Sequence, residues 1–383
     1  HMPGRDYMGI DYRPDHSFRI PDPVLNAQIG SPDACLRCHV DQDTLWSQET
    51  VNKWYGPGTT PHYGNIIANG RQGIAGAADE LARLAADPLY PVVVRATALS
   101  LLANYPGDTS TQALEIGLMD EEAQIRRAAV EFINLPTPAA LAKLLIPMLY
   151  DPVKTVRIEA ARRLAGELSV YLGADEKKVF QSVLQEFEDS MKYSGDFSYA
   201  RYNLANLYTE LDRPEDAISH FEASIRIDGQ FYPAKVNLAY LYNAQGRNEE
   251  AEELLREVVS DEPELYEIAY SFGLLLVEMQ KYREAVEYLE QASKGLPERP
   301  RIHYNLGLLY QHLQDATRAE NELRAALELE PANLDYQYGL ADHYLKRGMF
   351  EAARPIATDM ATMHPENPIG GQMLEFIRQN TGG

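Results

Sequence analysis

The chain holds 383 residues, 45% of them hydrophobic, with 35 Lys/Arg against 57 Asp/Glu and a net charge of −22. This length exceeds one compact core and predicts two or three domains or an open repeat array, while the acidity excludes nucleic acid as partner, because phosphate binding needs a basic surface. No apolar run reaches about 18 residues, so no membrane span is encoded, and the polar, Gly- and Pro-rich opening lacks a secretory signal pattern.

The charge is unevenly spread. Residues 1–75 hold six Lys/Arg against eight Asp/Glu, leaving −20 for the rest. An acidic surface of that kind keeps a protein soluble and attracts basic partners.

Residues 1–75 are rich in Pro, Gly, Asp and aromatics. The stretch RPDHSFRIPDP at 13–23 reads as extended and irregular. A helix is predicted from about Asp41 to Tyr55, stopped by Gly56-Pro57-Gly58, with His62 in the following loop and a short helix around 63–70. Such a segment has little core of its own and implies a cofactor or metal that organises it.

Cys35-Leu36-Arg37-Cys38-His39 contains the only two cysteines. Three chemistries use residues of this kind. A redox dithiol needs a strand–helix setting, which the preceding Gly30-Ser31-Pro32-Asp33 does not offer. A structural zinc site would combine both cysteines with two of His16, His39 and His62, but the adjacent Cys38 and His39 are poorly arranged to meet one ion. Covalent haem c uses all three motif residues: thioethers from Cys35 and Cys38 fix the macrocycle, and His39 becomes an axial iron ligand. His16 and His62 are candidate sixth ligands, ahead of Met8 and Met2; histidine on both faces lowers the potential relative to His/Met. Arg13 and Arg19 flank His16 and suit haem propionates. Phe18, Trp46, Trp54 and Tyr55 suit packing against a porphyrin.

Residues 76–170 read as helix throughout. The runs VRATA at 94–98, IRRAA at 125–129 and VRIEA at 156–160 recur at a spacing of 31, each behind an aspartate (Asp87, Asp120, Asp151). This resembles HEAT-like repeats, in which the Asp opens the second helix and the Val/Ile-Arg run forms its inner face. Residues 171–197 read as a linking helix.

From 198 onward the period is 34. YNLANLY at 202–208 aligns with VNLAYLY at 236–242, YSFGLLL at 270–276, YNLGLLY at 304–310 and YGLADHY at 338–344. Ala217, Ala251, Ala285, Ala319 and Ala353 share one position, and Pro263, Pro297, Pro331 and Pro365 close four units. The pattern resembles the tetratricopeptide repeat (TPR), five copies over 198–367, with a capping helix and tail at 368–383. The expected fold is therefore all-α: an α-solenoid of HEAT-like repeats followed by five TPR repeats, behind an irregular N-terminal haem c module at 1–75. On the inner helices Tyr202, Tyr240, Tyr270, Tyr304 and Tyr338 form a candidate partner-binding face.

Tyr7-Met8-Gly9-Ile10-Asp11, the DHSFRIP run at 15–21, Pro32-Asp33-Ala34-Cys35 through His39, and Trp54-Tyr55-Gly56 together resemble the C-terminal haem region of bacterial multihaem c-type cytochromes fused to TPR repeats. That resemblance implies an electron carrier with more than one haem in the native protein, and a periplasmic or extracellular location. In that family a further Cys-x-x-Cys-His precedes Tyr-Met-Gly, so His1-Met2-Pro3 reads either as a cloning remnant or as the tail of another haem motif. In the second case His1 is a ligand too, and His16 belongs to a neighbouring haem.

No nucleophile elbow, phosphate-binding loop or metalloprotease motif is present. The expected function is electron transfer by one haem c in this chain, on a scaffold that docks redox partners or other cytochromes. The alternatives are a non-redox binding scaffold with a zinc or free Cys-x-x-Cys site, and part of a multihaem reductase whose catalytic haem lies elsewhere.

Overall fold

The structure is a computed structural model that describes residues 4–7, 11–14, 21–56 and 62–381. The chain divides into two compact units at Ser190/Met191.

The first unit opens with an antiparallel pair, β1 (Gly4–Tyr7) and β2 (Asp11–Pro14), in register Gly4 to Pro14 and Tyr7 to Asp11. The sequence predicts no strand in this module. Pro14 ends the ladder, in keeping with its missing N–H. The segment read as extended ends at Pro23, where the short helix α1 (Pro23–Ile29) begins. Asp22 caps it by accepting from the Leu25 N–H, Pro23 sits in the first turn, and Gly30 closes it in the left-handed region. The expected helix near 41–55 is α2 (Thr44–Tyr55), started by Asp43, which accepts from the Trp46 N–H. Next come α3 (Tyr63–Gln72), α4 (Ala77–Ala86) and α5 (Val92–Leu102). They are followed by α6 (Asp108–Gly117), α7 (Ala123–Phe132), α8 (Pro138–Leu145) and α9 (Lys154–Leu164).

The 31-residue period has a physical cause. Val94, Ile125 and Val156 are buried in α5, α7 and α9, and these second helices stack on one another. The arginine after each reaches forward to an acid of the next unit: Arg95 to Asp120, Arg126 to Asp151 at 2.6 Å, Arg157 to Glu186 at 2.7 Å. The aspartates lie a few residues ahead of the helices. Each accepts the N–H two residues on, Leu89, Glu122 and Val153, which turns the chain into the helix. The linking helix is α10 (Ala174–Tyr193).

The second unit is five helix pairs. They are α11 (Ser198–Glu210) with α12 (Pro214–Ile227), α13 (Tyr232–Ala244) with α14 (Asn248–Asp261), and α15 (Tyr266–Glu278) with α16 (Tyr282–Gly295). Then come α17 (Pro300–His312) with α18 (Ala316–Leu329) and α19 (Leu334–Lys346) with α20 (Phe350–Met363), closed by α21 (Ile369–Thr381). Ala217, Ala251, Ala285, Ala319 and Ala353 are completely buried where the paired helices cross. At Gly273 and Gly307 the approach is closer still: a Cβ would sit 2.7 Å from Leu289 and 2.6 Å from Leu323. The repeats are also pinned to one another. Tyr242 donates its hydroxyl to Glu222 at 3.2 Å, Tyr344 to Glu320 at 2.8 Å, and Tyr310 to Glu290.

Candidate functional site

Pro32-Asp33 leads into a single tight turn. The N–H groups of Cys38 and His39 both donate to the Cys35 carbonyl, at 3.1 and 3.0 Å. One oxygen of Asp33 accepts the N–H of Cys35 at 2.7 Å and of Leu36 at 3.3 Å. Its other oxygen accepts the Ser47 hydroxyl at 2.7 Å; that hydroxyl also lies 3.0 Å from the Thr44 carbonyl. Ser47 belongs to α2 and is fully buried, so the motif turn is tied to the next helix. The two thiols form no disulfide. Cys35 is half-buried, and burial, the Asp33 charge and a hydrogen bond to Asp33 push its thiol up. Cys38 and His39 are exposed, and the His39 ring tilts over Trp46 at 4.8 Å between centroids.

The surroundings fit a large apolar group. Across residues 21–56 only Pro23, Leu25 and Ser47 are buried. Val40, Leu45, Trp54 and Tyr55 are 61 to 83% exposed. The two thiols and the imidazole of this turn make up the donor set that covalent haem c uses. Among the described residues no three His, Cys, Asp or Glu side chains gather where they could hold a metal ion, so a zinc site on Cys35 and Cys38 would need ligands from elsewhere.

The predicted second ligands are less simply placed. His16, His1 and Arg19 lie outside the described residues. Arg13 is on β2 with its side chain exposed. His62 caps α3: its Nδ1 accepts the Gly64 N–H at 3.0 Å, and its ring lies 4.2 Å from that of Tyr63. Accepting through Nδ1 puts the ring proton on Nε2, so binding iron through Nε2 would require giving up the cap.

On the TPR inner helices the five tyrosines divide. Tyr240 and Tyr338 are 44 and 42% exposed. The other three are engaged between repeats. Tyr202 lies 5.4 Å from Phe231, Tyr270 accepts from Asn305 at 2.8 Å, and Tyr304 lies 5.1 Å from Tyr336. Leu274 and Leu308 are also exposed, and the repeat period places both at the position of Tyr240. The usable apolar row is therefore Tyr240, Leu274 and Leu308. A shallow groove of about 550 Å³ follows it, lined by Tyr338, Asp342, Lys346, Ile369, Met373 and Phe376.

The sequence reading did not single out Asp33 or Ser47. The signal for Asp33 was its place two residues before Cys35 and after a proline, where an Asp side chain takes the N–H two residues on. Nothing in the sequence marks Ser47.

Residues 212–270, 270–323 and 313–368 match family models of the tetratricopeptide repeat. The matches cover the repeats and not the Cys35–His39 turn. Several solved structures are similar. YrrB, described as a TPR protein with an unusual peptide-binding site, is 17% identical, with 49% of this chain and 97% of that one aligned at a TM-score of 0.45. MamA is 16% identical over 43% and 95%, at 0.41. MamA 41-end from Desulfovibrio magneticus RS-1 is 17% identical over 49% and 97%, at 0.40. No curated protein matches the chain in sequence.

Proposed function

We propose that this chain is a helical-repeat scaffold for protein partners that carries one covalent haem c and passes electrons to what it docks. The TPR stretch supports the scaffold part, since stacked repeats present extended binding surfaces. The observation that carries the redox part is the capped Cys35–His39 turn set in a segment with almost no core of its own. Cys35 and Cys38 would hold the haem through thioethers, and His39, backed by Trp46, would bind iron on one face. Bound there, haem supplies one-electron exchange. Val40, Leu45, Trp54 and Tyr55, exposed on the same segment, would offer it apolar contact. A periplasmic or extracellular location follows, because haem c is attached outside the cytoplasmic membrane. His16 or His62 would complete the coordination, and further haems and a reductase activity would belong to a longer native chain.

The test is spectroscopic. Expressed with a haem-attachment system, the chain is expected to gain the mass of one haem and to show sharp α and Soret bands when reduced. A protein without covalent haem sinks the redox reading. It leaves the second reading, a non-redox binding scaffold, which the exposed Tyr240, Leu274 and Leu308 favour.

A further inference from the structure

We infer that Asp33, locked by Ser47, is the positioning residue that presents Cys35 for haem attachment, while Cys38 attaches without help. The inference rests on the haem reading above. Three donors converge on one carboxylate: the N–H groups of Cys35 and Leu36 and the Ser47 hydroxyl. Ser47 is fully buried fourteen residues downstream on α2, so the anchor is a packed helix rather than the loop itself. Cys38 has a different setting: it is exposed.

The difference matters for the chemistry. Each thiol adds its S–H across a vinyl double bond: sulfur bonds to one carbon, the hydrogen goes to the other, and nothing leaves. Both additions demand that two sulfurs reach two vinyl groups on one rigid ring. Restricting one cysteine in advance removes freedom that attachment would otherwise have to remove. Cys35 is also half-buried where Cys38 is exposed, so its sulfur is the less accessible of the two to other electrophiles. Asp33 therefore holds the Cys35 end of the turn in place before the ring arrives.

The experiment compares the full chain with Ser47→Ala, Asp33→Ala and the conservative Ser47→Thr. In the haem-free chain, iodoacetamide is expected to modify Cys38 several-fold faster than Cys35. Both alanine variants should bring the Cys35 rate close to that of Cys38, and Ser47→Thr should keep the gap. After expression with the attachment system, the alanine variants should carry haem on Cys38 alone. Peptide mapping would then find Cys35 open to alkylation, and the pyridine haemochrome α band would move to longer wavelength as one vinyl group survives. Circular dichroism checks that the repeats stay folded. Equal alkylation rates at the two cysteines of the unmodified chain overturn the inference, as do variants with both thioethers at the original ratio. A haem-free product from the unmodified chain refutes the haem reading instead, and the alkylation rates still decide whether the Asp33 clamp exists.

Discussion

His343 and His303 have opposite effects on the second unit. His343 is 2% exposed, and among the described residues neither ring nitrogen meets a hydrogen-bond partner. The other four repeats place Leu207, Leu241, Leu275 and Leu309 at this position. Burial first, then the nearby Arg347, pushes the His343 pKa below its ordinary 6.5. The unfolded chain then takes up a proton that the folded one refuses, so stability falls as pH drops below 6.5. His343→Leu should remove that acid limb and stabilise the unit by about 1–3 kcal/mol, the usual cost of a buried polar group without a partner. His303 is raised by its hydrogen bond to Glu322 at 2.7 Å. Its contribution is whole below 6.5 and is lost as pH rises through the raised value. His303→Gln should flatten the neutral-to-alkaline limb and leave the acid limb alone. Melting temperatures across pH 4–9 check both; a His343→Leu protein with an unchanged acid limb would refute the assignment.

At the scale of the element, the turn between paired helices repeats with the same period as the helices. Asp212, Gly246, Gln280, Gln314 and Gly348 all occupy the left-handed region, with φ between 54° and 75°. The next residue's N–H closes each turn back on the helix: Arg213 to the Tyr208 carbonyl, Arg247 to Tyr242, Lys281 to Leu276, Asp315 to Tyr310 and Met349 to Tyr344, all at 2.8–2.9 Å. Glycine adopts this conformation freely and glutamine does not. Gln280→Gly and Gln314→Gly should each raise stability by up to about 1 kcal/mol in denaturant titrations, with no gain identifying turns that are already relaxed. The opposite change at a crossing should hurt: a side chain at Gly307 runs into the fully buried Leu323, and Gly307→Val is expected to cost about 1–3 kcal/mol. These features explain what could be read in advance. A small residue at the crossing and a buried alanine opposite it recur every 34 positions, so packing writes itself into the sequence. The β1–β2 pair and α1 have no such repetition. Each is seven residues or fewer, shorter than the window in which periodicity shows. The Asp33–Ser47 bond was hidden for another reason, since it joins residues fourteen apart across a loop whose path no local pattern sets.

For the whole molecule, the question is what ends an open stack. Stability in such arrays is a sum of units and nearest-neighbour interfaces, so the last unit is left with one bare face. Here α21 covers it. Met373 and Ile377 are buried against Ala353, Ala357 and Met360, and Ile369 and Leu374 pack at the margin. Contact is close because Gly370 lies over the α20 backbone, where a Cβ would sit 2.5 Å from the Ala361 nitrogen. Polar Glu375, Arg378 and Gln379 line the other side. The expected cap at the end of the repeats is thus present, three residues longer at its start than the predicted 372–379. The same helix lines the groove with Tyr338 and Lys346, so it extends the inner surface as well as closing the core. Ending the chain at 367 would expose the apolar faces of α19 and α20. Burial of two full side chains is worth about 3–6 kcal/mol, so the shortened protein should melt lower and associate through the bared face. Thermal unfolding and sedimentation measure the two effects separately. A monomer with an unchanged melting temperature would show that α21 only decorates the stack. Gly370→Val in the full chain should reproduce the loss in part, because it lifts the cap without removing it.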